Sequence, residues 1–359
     1  MDTHQAASEP SDVTREDADL AAESGLAIEG IAGLTIQRRR CGKGFIYLDA
    51  AGRRIRAEKE LVRIASLAIP PAYQAVRIAA NPSAHLQAIG RDAAGRWQHR
   101  YHDAWQQVRE ARKVDRLETL LQALPRLRAA VRRDMARRSL DRSKALACAV
   151  AILDETHIRV GSEPYLGTSG ARGAATLLKR QSVLGRSRVL LCFRGKGGTR
   201  FRCTVLHASL ARALSRIATL PGRRLLQYRG GDGAVHSVRA PDINDYLRDI
   251  SGAPVTAKDL RMLAANALAA EAFAGMQPED SKTARRRQIT AVMRKVSEAL
   301  GNTPAVTRKS YVHARVVDAF AAGSLPPLLK ASRTGPRRKR SEALLRRLLA
   351  PQPRGPAHS

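Results

Sequence analysis

The stretch RVLLCFRGKGGTRFRCTV, Arg188–Val205, decides the fold. RVLLCFR (Arg188–Arg194) and TRFRCTV (Thr199–Val205) read as two strands. Gly195-Lys196-Gly197-Gly198 between them has the composition of a tight turn. Val183-Leu184, followed by a turn at Gly185, adds a strand signal just upstream. The spacing predicts a small antiparallel sheet with Lys196 at a hairpin tip. It lies inside a region that is otherwise helical, which makes this domain α+β.

Working outward, SKALACAVAILDETHIRVGSE (Ser143–Glu163) predicts a buried helix capped at Ser143. Leu146, Val150, Leu153 and Ile158 stand at helical spacing, Gly161 marks the stop, and the last turn delivers Arg159. Downstream, Thr256 with Asp259 three residues on predicts a capping-box start, with Arg261 in the second turn. Ile289, Val292, Met293, Val296 and Leu300 define an amphipathic helix ending at Gly301. Thr303-Pro304 fits the N-cap and first position of the next. On that helix Arg308, Tyr311 and Arg315 fall on one face, and Val306, Val317 and Phe320 form the apolar face.

The first hundred residues have a different pattern. FIYL (Phe45–Leu48), the turn Asp49-Ala50-Ala51-Gly52 and RRIR (Arg53–Arg56) read as a hairpin. Residues 58–67 read as a helix stopped by Pro70-Pro71. HLQAIG (His85–Gly90), a turn from Asp92 to Gly95, and RWQHRYH (Arg96–His102) form a second hairpin. Alternation on its last strand puts Arg96, Gln98 and Arg100 on one face and Trp97, His99 and Tyr101 on the other. That suits an amphipathic edge strand. It also suits a ribbon whose donors and aromatics touch DNA.

Composition narrows the partner. The 359 residues allow two or three domains, and a 44% apolar content excludes a globally disordered chain. Sixty-three basic residues against 32 acidic give a net charge of +31, and 51 of the basic residues are Arg. Residues 1–25 hold seven acids and one base; residues 331–359 hold eight bases and one acid. Both ends read as disordered or loosely ordered. The body between them still carries +30. A folded basic surface points to duplex DNA, whose charge density matches it; the plainer alternative is a charge-rich protein with no specific partner. No apolar run approaches the roughly 18–20 residues of a membrane span. The acidic N-terminus lacks the composition of a signal or transit peptide. Cys41, Cys148, Cys192 and Cys203 form no CxxC pair, which argues against a zinc site and for a reducing cytoplasm.

Read singly, the candidate residues are weak. A tyrosine between arginines is usually a surface residue, Arg159 suits a helix C-terminus, and Lys196 suits a solvated turn. GKGG lacks the preceding Gly and following Ser or Thr of a phosphate-binding P-loop. Their order is more informative. An Arg in RVGSE, a Lys in FRGKGG, an Arg in AKDLR and a Tyr in LGNTPAVTRKSYVH follow one another in one basic domain. GFIYLDAAGRRI, LAIPPAY, HLQAIGRDAAGRWQHRYH, LPGRRLLQY and INDYLRDISG accompany them. From about Ile31 to Phe320 the chain resembles the type IB DNA topoisomerases, specifically their poxvirus-like and bacterial branch.

The resemblance implies that Tyr311 is the nucleophile, with Arg159, Lys196, Arg261 and Asn302 around the scissile phosphate. It implies that the strand around Gln98, His99 and Tyr101 sits in the DNA groove; Arg96 beside it and Arg308 are further expected DNA contacts. The residue types fit such chemistry. Guanidiniums and a neutral amide are fixed donors for charge growing on nonbridging phosphate oxygens. A 5′-alkoxide is a poor leaving group and needs a proton, which Lys can supply and Arg practically cannot. The phosphotyrosyl bond conserves the energy of the broken one, so neither ATP, metal nor another cofactor is expected. The expected architecture is a bilobal clamp around duplex, supercoiled DNA, from a monomer in the cytoplasm at the nucleoid. Its parts are an acidic extension (1–25), a β-rich domain (26–103), a mainly helical catalytic domain with a small sheet (104–325) and a basic tail (326–359). Deleting residues 331–359 is expected to spare the cleavage chemistry. Two departures stand out. RGAATL (Arg172–Leu177) replaces a stretch like YGLTTL, and Met262-Leu263 replaces a Thr and an aromatic residue. Tyrosine recombinases share the Arg, Lys, Arg and Tyr plan, but they place His where this chain has Lys258. A DNA-binding protein that has lost catalysis is the third alternative.

Overall fold

The computed structural model describes residues 15–332 and 336–350, and the chain divides into two compact units, Met1–Lys113 and Val114–Ser359. The division falls ten residues beyond the expected boundary because one long helix runs through both positions.

The first unit contains α1 (Arg15–Glu23), β1 (Ile36–Cys41), β2 (Gly44–Leu48), α2 (Glu58–Ser66), β3 (Gln74–Ile78), β4 (Leu86–Arg91), β5 (Trp97–Tyr101) and the start of α3 (Asp103–Ala136). Its antiparallel sheet has the order β2-β1-β3-β4-β5, so β5 is an edge strand as expected. The first hairpin differs from the sequence reading. FIYL pairs with β1, from Gln37↔Leu48 to Cys41↔Gly44, across a two-residue turn at Gly42-Lys43. The Asp49 turn is present, with Asp49 Oδ1 accepting from the Ala51 and Arg53 amides at 2.9 Å. Beyond it RRIR adds only one bridge, Leu48↔Arg54.

A register shift between Leu86 and Ala88 leaves Gln87 as an extra residue opposite β5. Such a bulge reverses which face the following side chains meet. Leu86 and Ile89 pack with Ile31, Leu34, Ala79 and Ala84, while Ala88 packs with Ile36, Val76, Ile78 and Ile64 of α2. The acidic extension is not disordered from Arg15 onward: Ala21 of α1 is fully buried with Leu26, Trp105 and Val108. Residues 1–14 lie outside the described residues.

In the second unit follow α4 (Arg142–Thr156), α5 (Glu163–Ser169), β6 (Ser182–Leu184), β7 (Arg188–Arg194), β8 (Arg200–Leu206), α6 (Ala208–Ile217), β9 (Gln227–Arg229) and β10 (Val235–Ser237). They are succeeded by α7 (Ala240–Ser251), α8 (Ala257–Ala274), α9 (Lys282–Leu300), α10 (Pro304–Ser310), α11 (Ala314–Ala321), α12 (Leu325–Ala331) and α13 (Arg337–Leu349). The expected sheet is there, in the order β6-β7-β8. The fold class is therefore α+β, as expected. The core is built around α4, whose residues from Lys144 to Asp154 are all buried. Its N-cap is Asp141 rather than Ser143, because the Asp141 carboxylate accepts from the Lys144 amide at 3.0 Å.

The basic tail also differs from expectation. α13 folds onto the core with Leu344, Leu345 and Leu349 fully buried. Arg128 binds Asp154 at 3.0 Å and Glu342 at 2.6 Å, and Arg338 of α13 binds Asp154, Glu155 and Glu342. Burying one leucine stabilises by about 1.5–3 kcal/mol. In SEALLRRLL the apolar pairs fall one helical turn apart, and the dense arginines around them hide that pattern.

Candidate active site

Each candidate side chain is fixed by a different local device. α4 ends at His157, which takes the left-handed conformation (φ 57°) and turns the chain out of the helix. Arg159 therefore lies past the helix and not in its last turn. Its carbonyl accepts from the Ala174 amide at 2.9 Å, and the Val160 carbonyl accepts from the Ala175 amide at 2.8 Å. This pairing requires Gly161 and Gly173 to touch: a Cβ on Gly161 would stand 2.7 Å from the Gly173 Cα. The RGAATL departure thus keeps the glycine on which the backbone pairing at Arg159 depends.

Arg261 enters from α8, whose capping box forms as expected, with Asp259 accepting from the Thr256 amide at 2.8 Å. Arg261 is 3% exposed, and its guanidinium donates to the carbonyls of His157 and Leu300 and to Asn302 Oδ1. Arg159 donates to Asn302 Oδ1 and, at 3.3 Å, to the Gly301 carbonyl. One amide oxygen is thus held between two guanidiniums. The Nδ2 of Asn302 is buried and has no hydrogen-bond partner among the described residues.

Lys196 sits at the β7–β8 tip as expected, in a turn where Gly197 and Gly198 both have positive φ. Phe201 stacks on Phe193 at 5.2 Å beneath that tip. The same ring lies against Gly301, where a Cβ would stand 2.0 Å from Phe201 Cζ. Gly301 is needed twice, for its φ of 60° and for this contact. Phe201 thereby ties the Lys196 hairpin to the corner that carries Asn302.

Tyr311 is not on a helical face shared with Arg308 and Arg315. α10 stops at Ser310, because the Tyr311 and Val312 amides both bond to the Thr307 carbonyl, and α11 starts anew after His313. Val306, expected on an apolar face, is 43% exposed, whereas Phe320 is buried. Asn266, fully buried on α8, holds the turn: its Nδ2 donates to the Tyr311 carbonyl and its Oδ1 accepts from the His313 amide, both at 2.8 Å.

These elements meet in a cleft of about 220 Å³ lined by Arg159, Lys196, Arg261 and Tyr311, with Lys258 and Arg172 among the remaining walls. Four of the five expected residues thus line it, and the fifth, Asn302, bonds to both arginines. The Arg261 guanidinium lies 5.4 Å from the centre of the Tyr311 ring. Burial works to raise the Tyr311 pKa. The charge and hydrogen bond of Arg261, then Arg159 and Lys258, outweigh it and hold the phenol below its ordinary value. Burial lowers the Arg261 pKa, which Tyr311 partly offsets. His157 is pushed down to about 4 by burial, then by Arg338, so it is neutral at neutral pH. The cleft can accept an anionic tetrahedral group beside a hydroxyl primed to ionise. Among the described residues no three His, Cys, Asp or Glu side chains are grouped to hold a metal ion.

The expected DNA contacts of the first unit lie on β5, except Arg96, which immediately precedes it. Arg96 and Gln98 both bind Asp92, at 2.8 Å, and the Arg96 bonds hold that carboxylate down to about 2. His99 stacks on Tyr101 at 6.1 Å, and Tyr101 packs against the core. Arg308 is exposed on α10. The sequence reading missed Asn266, Phe201 and the role of Lys258. Asn266 alone left a trace, as a single polar residue in the Ala- and Leu-rich run of α8.

Residues 44–92 match the family model for the bacterial DNA topoisomerase IB N-terminal domain. Residues 102–323 match that for the eukaryotic DNA topoisomerase I catalytic core. A DNA topoisomerase 1B of Acanthamoeba polyphaga mimivirus is 29% identical over 285 residues, which span 77% of this chain and 84% of the viral one. The second model alone covers more than half of the chain, and the four expected polar side chains that share one cleft all lie within it. The chain belongs to the type IB DNA topoisomerases, whose activity is the relaxation of DNA.

Proposed function

We propose that this enzyme relaxes supercoiled duplex DNA as a monomer, with Tyr311 as the nucleophile and without ATP or metal. The observation that carries the reading is the convergence of Tyr311, Arg159, Arg261 and Lys196 on one cleft. All come from one chain, so the site needs no second copy. Tyr311 Oη, its proton lost to solvent, attacks phosphorus and forms a 3′-phosphotyrosyl bond as the P–O5′ bond breaks. Arg159 and Arg261 are fixed donors for charge that grows on the nonbridging oxygens. The unpartnered Asn302 Nδ2 adds a third donor. Lys196 gives a proton to the leaving 5′ oxygen. The freed strand rotates, and the 5′ hydroxyl then attacks the phosphotyrosine to restore the duplex and both protons.

Arg96 just before the edge strand, Gln98 and His99 on it, and Arg308 on α10 would contact the duplex, with Tyr101 supporting the strand from the core. The bacterial N-terminal match supports a place in a bacterial cytoplasm at the nucleoid. Among the described residues no helix is long and apolar enough to cross a membrane. The test is relaxation of supercoiled plasmid of either sign in EDTA without nucleotide. Full activity is expected; a strict need for ATP or magnesium would refute the mechanism.

A further inference from the structure

Next to the catalytic cleft lies a second cavity, of about 610 Å³, whose walls carry five cations: Arg172, Lys179, Arg180, Arg223 and Arg224. Arg172 lines both cavities. The backbone beneath them is rigidly paired. The Lys179 amide donates to the Arg223 carbonyl at 3.0 Å, and the Leu225 amide donates to the Leu177 carbonyl at 2.9 Å. Two guanidiniums converge on one acceptor, the Thr176 carbonyl, from Arg172 at 2.7 Å and from Arg224 at 2.9 Å. The carboxylate bonded to this group is Glu163, which binds Arg224 and is itself 60% exposed. Arg180 and Arg223 are exposed and form no ion pair among the described residues.

Five cations against one carboxylate, in a concave site on a fixed frame, repel one another unless an anion joins them. Burial, and then Arg224 and Arg180, lower the Arg172 pKa, which Glu163 partly offsets. Guanidinium forks match phosphate oxygens in pairs, and several forks facing one hollow match linked phosphates better than a single carboxylate.

We propose that this cavity is a second phosphate-binding site, separate from the scissile-phosphate cleft and joined to it through Arg172. Linked phosphates could come from the DNA backbone beyond the cleavage point or from a free oligophosphate. The inference builds on the proposed active site but uses none of its catalytic residues.

The test removes the two cations that make no side-chain bond among the described residues, as Arg180→Gln with Arg223→Gln in the full chain. Arg286→Gln with Arg287→Gln, an exposed pair on α9, controls for lost net charge. Two readouts are taken on each protein: calorimetric binding of inorganic tripolyphosphate, and the slope of log DNA affinity against log salt. If the site holds free oligophosphate, tripolyphosphate affinity falls about tenfold or more in the first variant only. If it holds DNA backbone, the salt slope becomes shallower by about two in the first variant only. Either result supports the site and names its source. Unchanged values in the first variant, or equal losses in the control, would overturn it. Formation of the covalent Tyr311 adduct is scored in parallel. It should persist in the variant, and its absence from the parent protein would instead sink the catalytic reading.

Discussion

Asn266→Ala should cripple cleavage while leaving DNA affinity nearly intact. The side chain lies behind the residues that line the cleft and clamps the backbone on both sides of Val312 through the Tyr311 carbonyl and the His313 amide. Alanine strands both groups in a buried setting, at about 1–3 kcal/mol each. The loss is therefore about 2–6 kcal/mol, and for a unit of this size each kcal/mol lowers the Tm by about 2–4 °C. The third bond of Asn266, to the Met262 carbonyl, adds little, because that oxygen already accepts within α8. Freed from its clamp, the Tyr311 hydroxyl has only to shift by about 1 Å for the rate to drop roughly 10²-fold. Single-turnover cleavage of a suicide duplex, measured well below the melting temperature of the variant, reads the rate; fluorescence anisotropy reads the affinity. Asn266→Asp keeps the acceptor for His313 but loses the donor to Tyr311, so it should also be slow. A folded Asn266→Ala enzyme that cleaves within about threefold of the parent would refute the clamp.

Three further outcomes follow from the same geometry. Lys196→Ala should slow cleavage of ordinary DNA by roughly 10²–10⁴-fold and recover on a 5′-bridging phosphorothiolate, whose sulfur leaves without an acid. An unrescued defect would make Lys196 a purely electrostatic contact. Lys258→Ala removes one of the cations that lower the Tyr311 pKa. With the ionised phenol as the proposed nucleophile, the acidic limb of the cleavage pH profile should move to higher pH, and an unmoved limb would contradict the assignment. Leu345→Ala in α13 should destabilise the protein by about 2–5 kcal/mol in thermal or urea melts. A dispensable tail would leave the melt unchanged.

Most of the site was legible because its residues sit at punctuated positions. Gly195–Gly198 marked the hairpin that carries Lys196, Thr256 and Asp259 marked the start of the Arg261 helix, and Gly301 marked the turn at Asn302. The errors fall where no local residue announces the change. Nothing at Ser310 signals that α10 ends there. The stop comes from two amides sharing the Thr307 carbonyl and from Asn266, forty-five residues away in sequence. His157 ends α4 in a left-handed conformation that a glycine would have advertised. The second use of Gly301, against Phe201, is a contact between distant segments and leaves no mark on either. At α13 charge concealed an ordinary amphipathic helix, since Arg338, one of the arginines that suggested a loose basic tail, forms ion pairs with Asp154, Glu155 and Glu342.

The central claim is that Tyr311 makes the covalent bond to DNA. The most direct measurement traps the adduct on a suicide duplex, digests the protein with trypsin and maps the nucleotide-bearing peptide by mass spectrometry. The account predicts the mass on the peptide from Ser310 to Arg315, which contains Tyr311 and no other tyrosine. It also predicts no adduct in Tyr311→Phe, with DNA binding retained. A nucleotide on any other residue, or plasmid relaxation by the Tyr311→Phe enzyme, would contradict it.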